Sequence, residues 1–333
     1  MSRRSVFDTP KAYFIYGILI GLFSVFGMSG YFLEFFSTDN QSMNYLNGVL
    51  PQMDFISKRK SDNPELAVGN KKTDDDTLAK ILEEKVRVLC WVLTQPKHLE
   101  NKTIHVKTTW GKRCNVLLFF SSVPNQTFPT IGLGVPEGRK YLVQKTMKAF
   151  RYVYENHFYD ADWFLKADDD TFVIVENLRY FLMDQNATNP VYFGQHFHKY
   201  SDKGYNSGGA GYVLSKEALR RLVVDGPEAN DCVVRGAEDV RMGDCLAEIG
   251  VRVGNTADAL GRSRFHAIIP EHVILGQFMA WYENFTSAKG GMESLSHYAI
   301  TFHYVDPMAM QEMEYFIYHI RPYGIKRGML NIN

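Results

Sequence analysis

The sequence has no excess charge of either sign. In a chain of 333 residues, 37 lysines and arginines offset 37 aspartates and glutamates. Nucleic-acid-binding domains usually carry a basic surplus, so this balance gives no support to such a role. Cysteine is scarce, with four in all: Cys90, Cys114, Cys232 and Cys245. None falls in a CxxC pair, the spacing that most often marks zinc. An even number lying in two local pairs suits two disulfides in an oxidising compartment, with zinc as the alternative. No internal repeat is evident. Charged residues are absent from Ala12 to Leu33.

That uncharged stretch, "AYFIYGILIGLFSVFGMSGYFL", has 22 residues. As a helix it would be roughly 33 Å long, enough to cross a hydrocarbon core. Arg3, Arg4 and Lys11 precede it and Glu34 follows it. The positive-inside tendency then places residues 1–11 in the cytosol and the remainder across the membrane. A cleaved signal peptide is the rival reading, but its apolar stretch usually spans about 7–15 residues. An uncleaved anchor over 12–33 is the expectation. Five N-glycosylation sequons, at Asn40, Asn101, Asn125, Asn186 and Asn284, are in keeping with a lumenal body.

Residues 34–78 read as a stem. They are polar and mixed in charge, and their lack of a sustained apolar period leaves too little surface to bury against the entropy of ordering. A folded domain is expected over 79–333. Its first half alternates apolar runs with helical patterns. "VRVLCWVL" (86–93), "NVLLFFSS" (115–122) and "DWFLKAD" (162–168) read as strands. "HLENKTIHVKTTWGKRC" is helix-like, and "EGRKYLVQKTMKAFRYVYENH" has helical spacing at Leu142, Lys145, Thr146, Ala149, Phe150 and Val153. This order predicts an α/β fold with a mostly parallel sheet flanked by helices. Ligands on such sheets bind at the carboxyl ends of the strands.

The tetrapeptide DDDT occurs twice. The copy at Asp74–Asp76 precedes "LAKILEEKV", where acidic residues suit a helix start. The copy at Asp168–Asp170 ends an apolar strand. Three adjacent carboxylates in a folded body need a cation to offset their repulsion and burial, and a hard divalent cation takes oxygen ligands. In an extended segment Asp168 and Asp170 face one side and Asp169 the other, so the outer pair can share a metal. An acidic turn at a strand end is the alternative. Two carboxylates and an ion at a strand end suit a diphosphate leaving group, the arrangement called DxD in nucleotide-sugar transferases.

The wider pattern is more specific. "VRVLCWVLT", "HVKTTWGKRCN", "EGRKYLVQKT", "DADWFLKADDDTFVIVENLR", "PVYFG", "GYNSGGAGYVLSKEALRR", "GAEDVRMGDCL", "IPEH", "FHYVDP" and "IYHIRPYG" follow one another from about residue 84 to residue 324. In these blocks the chain resembles the core 1 galactosyltransferase group of glycosyltransferase family 31. The resemblance implies a GT-A fold, UDP-galactose as donor, Mn²⁺ as cofactor, and transfer in β1,3 linkage to GalNAc on Ser or Thr of a glycoprotein. It also implies a single-pass type II Golgi membrane protein. Homodimerisation is implied by the family alone.

The family motifs place metal ligands at Asp168, Asp170 and His303. On residues alone, His303 reads as a histidine packed beside Phe302 and Tyr304. "GAEDVRMGDC" matches the motif that brings the catalytic base, with Asp239 as base and Glu238 in support. Without the resemblance these two suit a helix N-terminus. Thr94, Glu137, Gly138, Arg139, Lys145, Asp169, His303 and Tyr304 match stretches around the donor. Arg139 and Lys145 can offset phosphate charge and otherwise read as solvated helix residues. Gly208, Gly209 and Gly211 allow close backbone approach in a sugar-facing loop, with a tight turn as the alternative. Trp281 and Tyr282 match the acceptor-facing aromatic stretch, with core packing as the alternative. The family pairing implies disulfides Cys90–Cys114 and Cys232–Cys245.

Three acceptor-side stretches depart from the family pattern. The usual adjacent cysteine pair is absent from "GGMESLSHYAITFHY", the usual GDSRD run reads "GNTAD" (Gly254 to Asp258), and "GQFMAWYENF" has fewer aromatics. The donor and metal motifs are intact. A β1,3-transferase with another acceptor and a non-catalytic folding partner are the alternative readings. The acidic triplet, Asp239 and His303 argue against the second.

Overall fold

A computed structural model describes residues 76–226, 232 and 236–323. The expected anchor, most of the stem and Asn40 lie outside the described residues. Among the described residues no helix is long and apolar enough to cross a membrane.

The central sheet has seven strands in the order β10-β6-β9-β4-β1-β2-β3. These are β1 (Val88–Leu93), β2 (Val116–Ser121), β3 (Ile131–Gly132), β4 (Trp163–Asp168), β6 (Val191–Gly194), β9 (Tyr212–Ser215) and β10 (Arg252–Val253). Four of the six neighbour pairings are parallel, and β9 runs antiparallel between β4 and β6. The mostly parallel sheet predicted by the alternating pattern is thus what forms.

β1 is buried along its whole length because the sheet is covered on both faces. Val88, Cys90 and Val92 enter one core cluster with Leu82, Leu178 and Met310. Leu89, Trp91 and Leu93 enter the other with Phe150, Leu219 and Leu246. The period of two along the strand divides the helices between the faces. Helices Thr77–Lys85, Val175–Leu182 and Pro307–Tyr318 cover the first face, and Leu142–His157, Lys216–Val224 and Glu238–Glu248 cover the second.

Two smaller sheets bear on the site. β11 (Phe265–His266), β12 (Thr301–Phe302) and β5 (Phe172–Val173) form one, in the order β11-β12-β5. β7 (His196–Phe197) and β8 (Tyr205–Asn206) form an antiparallel pair.

The helix-like stretch before β2 is not one helix. It breaks into a 3₁₀ turn at Pro96–His98, a π turn at Leu99–Thr103, a short α-helix at Ile104–Thr108 and a 3₁₀ turn at Trp110–Arg113. The Thr108 and Thr109 hydroxyls donate to the carbonyls of Ile104 and His105, and the Thr109 N–H also donates to His105 before the backbone leaves helical angles at Thr109. Cys114, just beyond, is fixed by its disulfide to Cys90 on β1, and Cys232 pairs with Cys245. Both pairings agree with those the family implied. Asn101, Asn125, Asn186 and Asn284 are all exposed.

Candidate active site

The carboxyl end of β4 is where the chain gathers its acidic groups, and register explains how. β5 follows the aspartate triplet directly, and β12 pairs antiparallel with it, Phe302 opposite Phe172. That register brings the residue after Phe302 beside the triplet. The Val305 N–H donates to the Asp170 carbonyl, closing the contact. His303 Nε2 lies 3.3 Å from Asp170 Oδ1. One ligand atom each from Asp168, Asp170 and His303 falls within 4.8 Å of the others.

Asp169 turns away from this cluster, but not by strand alternation: β4 ends at Asp168, and the triplet continues as a turn closed by the Thr171 N–H on the Asp168 carbonyl. Asp169 Oδ2 accepts a hydrogen bond from Thr94 Oγ1 (2.7 Å) and lies 2.8 Å from His98 Nδ1. Thr103 supports Thr94 through a 2.6 Å hydroxyl contact. The triplet therefore divides its work: two carboxylates face the cluster and one pins the turn to the end of β1. Burial pushes the Asp169 carboxyl up despite its two partners. Burial also acts upward on Asp170, but the His303 hydrogen bond and nearby positive charge outweigh it and hold that carboxyl below its ordinary value.

The antiparallel run of β9 brings its leading loop to the same place. Tyr212 pairs with Lys166, so residues 207–211 sit at the carboxyl end of β4. Here glycine is required. A Cβ on Gly209 would lie 2.1 Å from the His303 ring, and one on Gly208 would lie 2.6 Å from Glu238 Oε2. Gly211 takes a positive φ of 74°. The loop is a tight turn, closed by the Gly211 N–H on the Gly208 carbonyl, and its glycines also let His303 and Glu238 approach closely.

Glu238 and Asp239 open the helix Glu238–Glu248 and reach the loop from the other side. The Gly208 N–H donates to Asp239 Oδ2 (3.4 Å), and the Tyr212 hydroxyl donates to Glu238 Oε1 (2.7 Å). Burial raises both carboxyls above their ordinary values. Between these acids and Asp168 stands Lys166, which is 2 % exposed. Its Nζ donates to Asp168 Oδ1 (2.6 Å) and to the Gly208 carbonyl (3.0 Å). Burial would depress this amine, but Asp168 and Glu238 overcome that and push it up to about 12.

The remaining expected residues divide. Gly138, at φ 118°, and Arg139 are exposed at the turn before the helix Leu142–His157. The Arg139 charge reaches Tyr304, whose ring lies beside His303. Lys145 is buried and ion-paired with Glu137, which also accepts from the Ser122 N–H. Its charge is thus already matched within the protein. Trp281 is partly exposed, whereas Tyr282 is 1 % exposed and packs against Phe197 and Phe278. Of the two readings for Tyr282, core packing is the one the structure shows. Lys166, His98 and Thr103 were not singled out from sequence. A lysine interrupting the apolar run "WFLKAD" was the one available signal.

The Fringe-like family model matches residues 83–271. The chain belongs to the Fringe-like family. It is 44% identical over 258 residues to glycoprotein-N-acetylgalactosamine 3-beta-galactosyltransferase 1 of Xenopus laevis, covering 75% of this chain and 71% of that relative. By this relationship the chain is a glycosyltransferase. A beta-1,3-glucosyltransferase of Mus musculus is 27% identical over 175 residues, covering 51% of this chain and 35% of the relative. A solved structure of the galactosyltransferase LgtC with donor and acceptor sugar analogues has a TM-score of 0.42 and 11% identity, covering 70% of this chain and 97% of that one. Within the Fringe-like match lie Asp168, Asp170, Glu238 and Asp239, while His303 lies beyond it.

Proposed function

We propose that this Fringe-like chain is a Mn²⁺-dependent, inverting GT-A galactosyltransferase that moves galactose from UDP-galactose to the 3-hydroxyl of GalNAc on Ser or Thr of a glycoprotein. The observation that carries the reading is the meeting of two groups at the end of β4. One is the cluster of Asp168, Asp170 and His303, and the other is the buried acid pair Glu238–Asp239, joined to it through the Gly208 loop. The 44% identity to a relative named for this transfer supports the sugar and the acceptor.

The donor set fits the metal. Two carboxylates and one imidazole suit Mn²⁺ among divalent cations, and Gly209 leaves the space the imidazole needs. When bound, the ion would neutralise charge building on the diphosphate leaving group. Asp239 takes the proton from the acceptor hydroxyl as that oxygen bonds to the anomeric carbon. The bond from that carbon to UDP breaks on the opposite face, and UDP leaves with the electron pair. Glu238, held by Tyr212, keeps the neighbouring helix turn in place. Thr94, His98 and Asp169 orient the turn that presents Asp168 and Asp170. Arg139 and Tyr304 lie on the donor side and Trp281 on the acceptor side. An N-terminal anchor in the Golgi membrane, with the domain lumenal, completes the proposal.

The test is transfer by the purified full-length chain, with UDP-galactose, Mn²⁺ and a GalNAc-Ser/Thr peptide. Transfer is expected, with loss on chelation and in Asp170→Ala and Asp239→Ala. Mn²⁺-dependent UDP binding should disappear in the first variant and persist in the second. Binding without transfer in the parent would refute the acceptor assignment. Neither binding nor transfer from folded protein would refute the enzyme mechanism.

A further inference from the structure

Lys166 is a buried cation for which neither the metal cluster nor the base has an evident chemical use. It lies within the strand β4, where its five preceding and following neighbours in the strand are apolar apart from Asp168 itself. Its ammonium group has one face toward Asp168 Oδ1 and another toward the Gly208 carbonyl. That carbonyl also accepts from the Gly211 N–H at 3.1 Å, closing a turn. The N–H of the same Gly208 donates to Asp239 Oδ2. A continuous path therefore runs from Asp168 through Lys166 Nζ and one glycine peptide to Asp239.

We infer that Lys166 is a positioning residue, which ties Asp168 to the Gly208–Gly211 turn and thereby fixes Asp239 relative to the metal cluster. Asp168, Glu238 and Asp239 act on it most strongly, Asp170 also lies within reach of its charge, and the Tyr212 ring lies 5.9 Å from Nζ. The first three carboxylates come from two elements far apart in sequence, so no local hydrogen bond sets their separation. A compact ammonium with three donors reaches a carboxylate and a carbonyl from one point, which a thioether cannot do and a larger planar guanidinium would do only by displacing the groups packed around it. In the transfer reaction this geometry matters because the base must meet the acceptor hydroxyl while the donor is held by the cluster. A displacement of about 1 Å can cost about 100-fold in rate.

This inference rests in part on the proposed transfer, so its test has an arm that needs no turnover. In the purified full-length chain, Lys166→Met keeps the side-chain length and removes the donors. Amide exchange over residues 204–212 and 236–242 is expected to accelerate by about tenfold or more, with little change elsewhere. With UDP-galactose and a GalNAc-peptide, kcat should fall about 100-fold. Affinity for UDP with Mn²⁺ should stay within about threefold, because the substitution removes a repelling charge and an orienting bond together. Unchanged exchange in that loop, a parent-like kcat, or affinity falling in step with kcat would each overturn the inference. Should Lys166→Met not fold, Lys166→Arg keeps the charge but puts a larger planar group into a site that is 2 % exposed. It should show the same localised exchange, and parent-like exchange in it would overturn the inference. If the parent itself transfers nothing, the proposed reaction fails, and the exchange arm still decides the role of Lys166.

Discussion

Replacing Gly209 with alanine should weaken metal binding without touching a single ligand. The added Cβ would stand 2.1 Å from His303 Cε1, 2.4 Å from Nδ1 and 2.6 Å from Nε2. Ordinary contact begins near 3.4 Å, so the ring must retreat by at least about 1.3 Å. The Tyr304 ring, 3.9 Å away between centroids, limits that retreat. The imidazole must swing, and its Nε2 leaves the position 3.3 Å from Asp170 Oδ1. Misorienting a ligand typically costs about 10–100-fold in metal affinity, or about 1.4–2.8 kcal/mol. Gly209 is not among the positive-φ glycines, so alanine is compatible with its backbone. Its effect should therefore be local. Mn²⁺ titration by calorimetry, with thermal unfolding alongside, reads both. Gly134→Ala is a useful control, since its Cβ meets nothing within 4 Å, although its φ of 62° strains the backbone. Affinity within about threefold of the parent in Gly209→Ala would refute the geometry of the cluster.

Other measurements probe the base and the frame. Burial holds Glu238 and Asp239 above ordinary carboxyl values. A base with a raised pKa stays protonated to higher pH, so kcat/KM should fall with decreasing pH through a point above the ordinary aspartate value of 3.8; an acid limb at or below 3.8 would contradict the burial. Glu314 on the C-terminal helix accepts two bonds from Arg113, both 2.8 Å, and one from Lys112 at 2.7 Å. Glu314→Ala removes three charge-assisted bonds but leaves Arg113 paired with the partly exposed Glu176 at 3.3 Å, and should cost about 2 kcal/mol in denaturant unfolding; a loss below about 1 kcal/mol would refute the strengthening of these bonds by burial. Replacing Cys90 and Cys114 together by serine should also cost about 3 kcal/mol by the same assay, since the bridge closes a 24-residue separation.

The donor half of the site was readable from sequence for a physical reason. Its ligands lie at a strand end and on a register-fixed neighbour. The apolar run of β4 therefore located Asp168, while Asp169 and Asp170 lie in the turn beyond it and not in the extended segment that a period of two assumes. His303 was different. Its spacing from the triplet carries no local signal, because only the pairing of β12 with β5 brings it across; the family resemblance pointed to it, and residues alone did not. Lys166 escaped notice because a buried lysine is read as a breach of an apolar pattern until its partners are seen. The helix-like stretch over 98–114 is broken where Thr109 leaves helical angles, at φ −106° and ψ −113°, a local turn that a periodicity count does not register.

The side proposed to meet the acceptor follows a different logic. Asp258 ends the altered GNTAD run, and its Oδ2 accepts from Arg262 Nε at 2.7 Å and from Ser296 Oγ at 2.9 Å. Trp281 lies in a short helix whose neighbour Tyr282 is committed to the core. These contacts tie loops to one another around one isolated bridge, Ser263 to Leu295, outside the named strands. Substitutions there can reshape a surface without moving a strand. Around Asp168 and Asp170, by contrast, a one-residue slip would turn every side chain to the wrong face. Departures from the family pattern are thus expected to collect where they do in this chain, around residues 254–301. Under the proposed function, divergence of this kind would alter acceptor recognition first and leave the donor chemistry at the end of β4 in place.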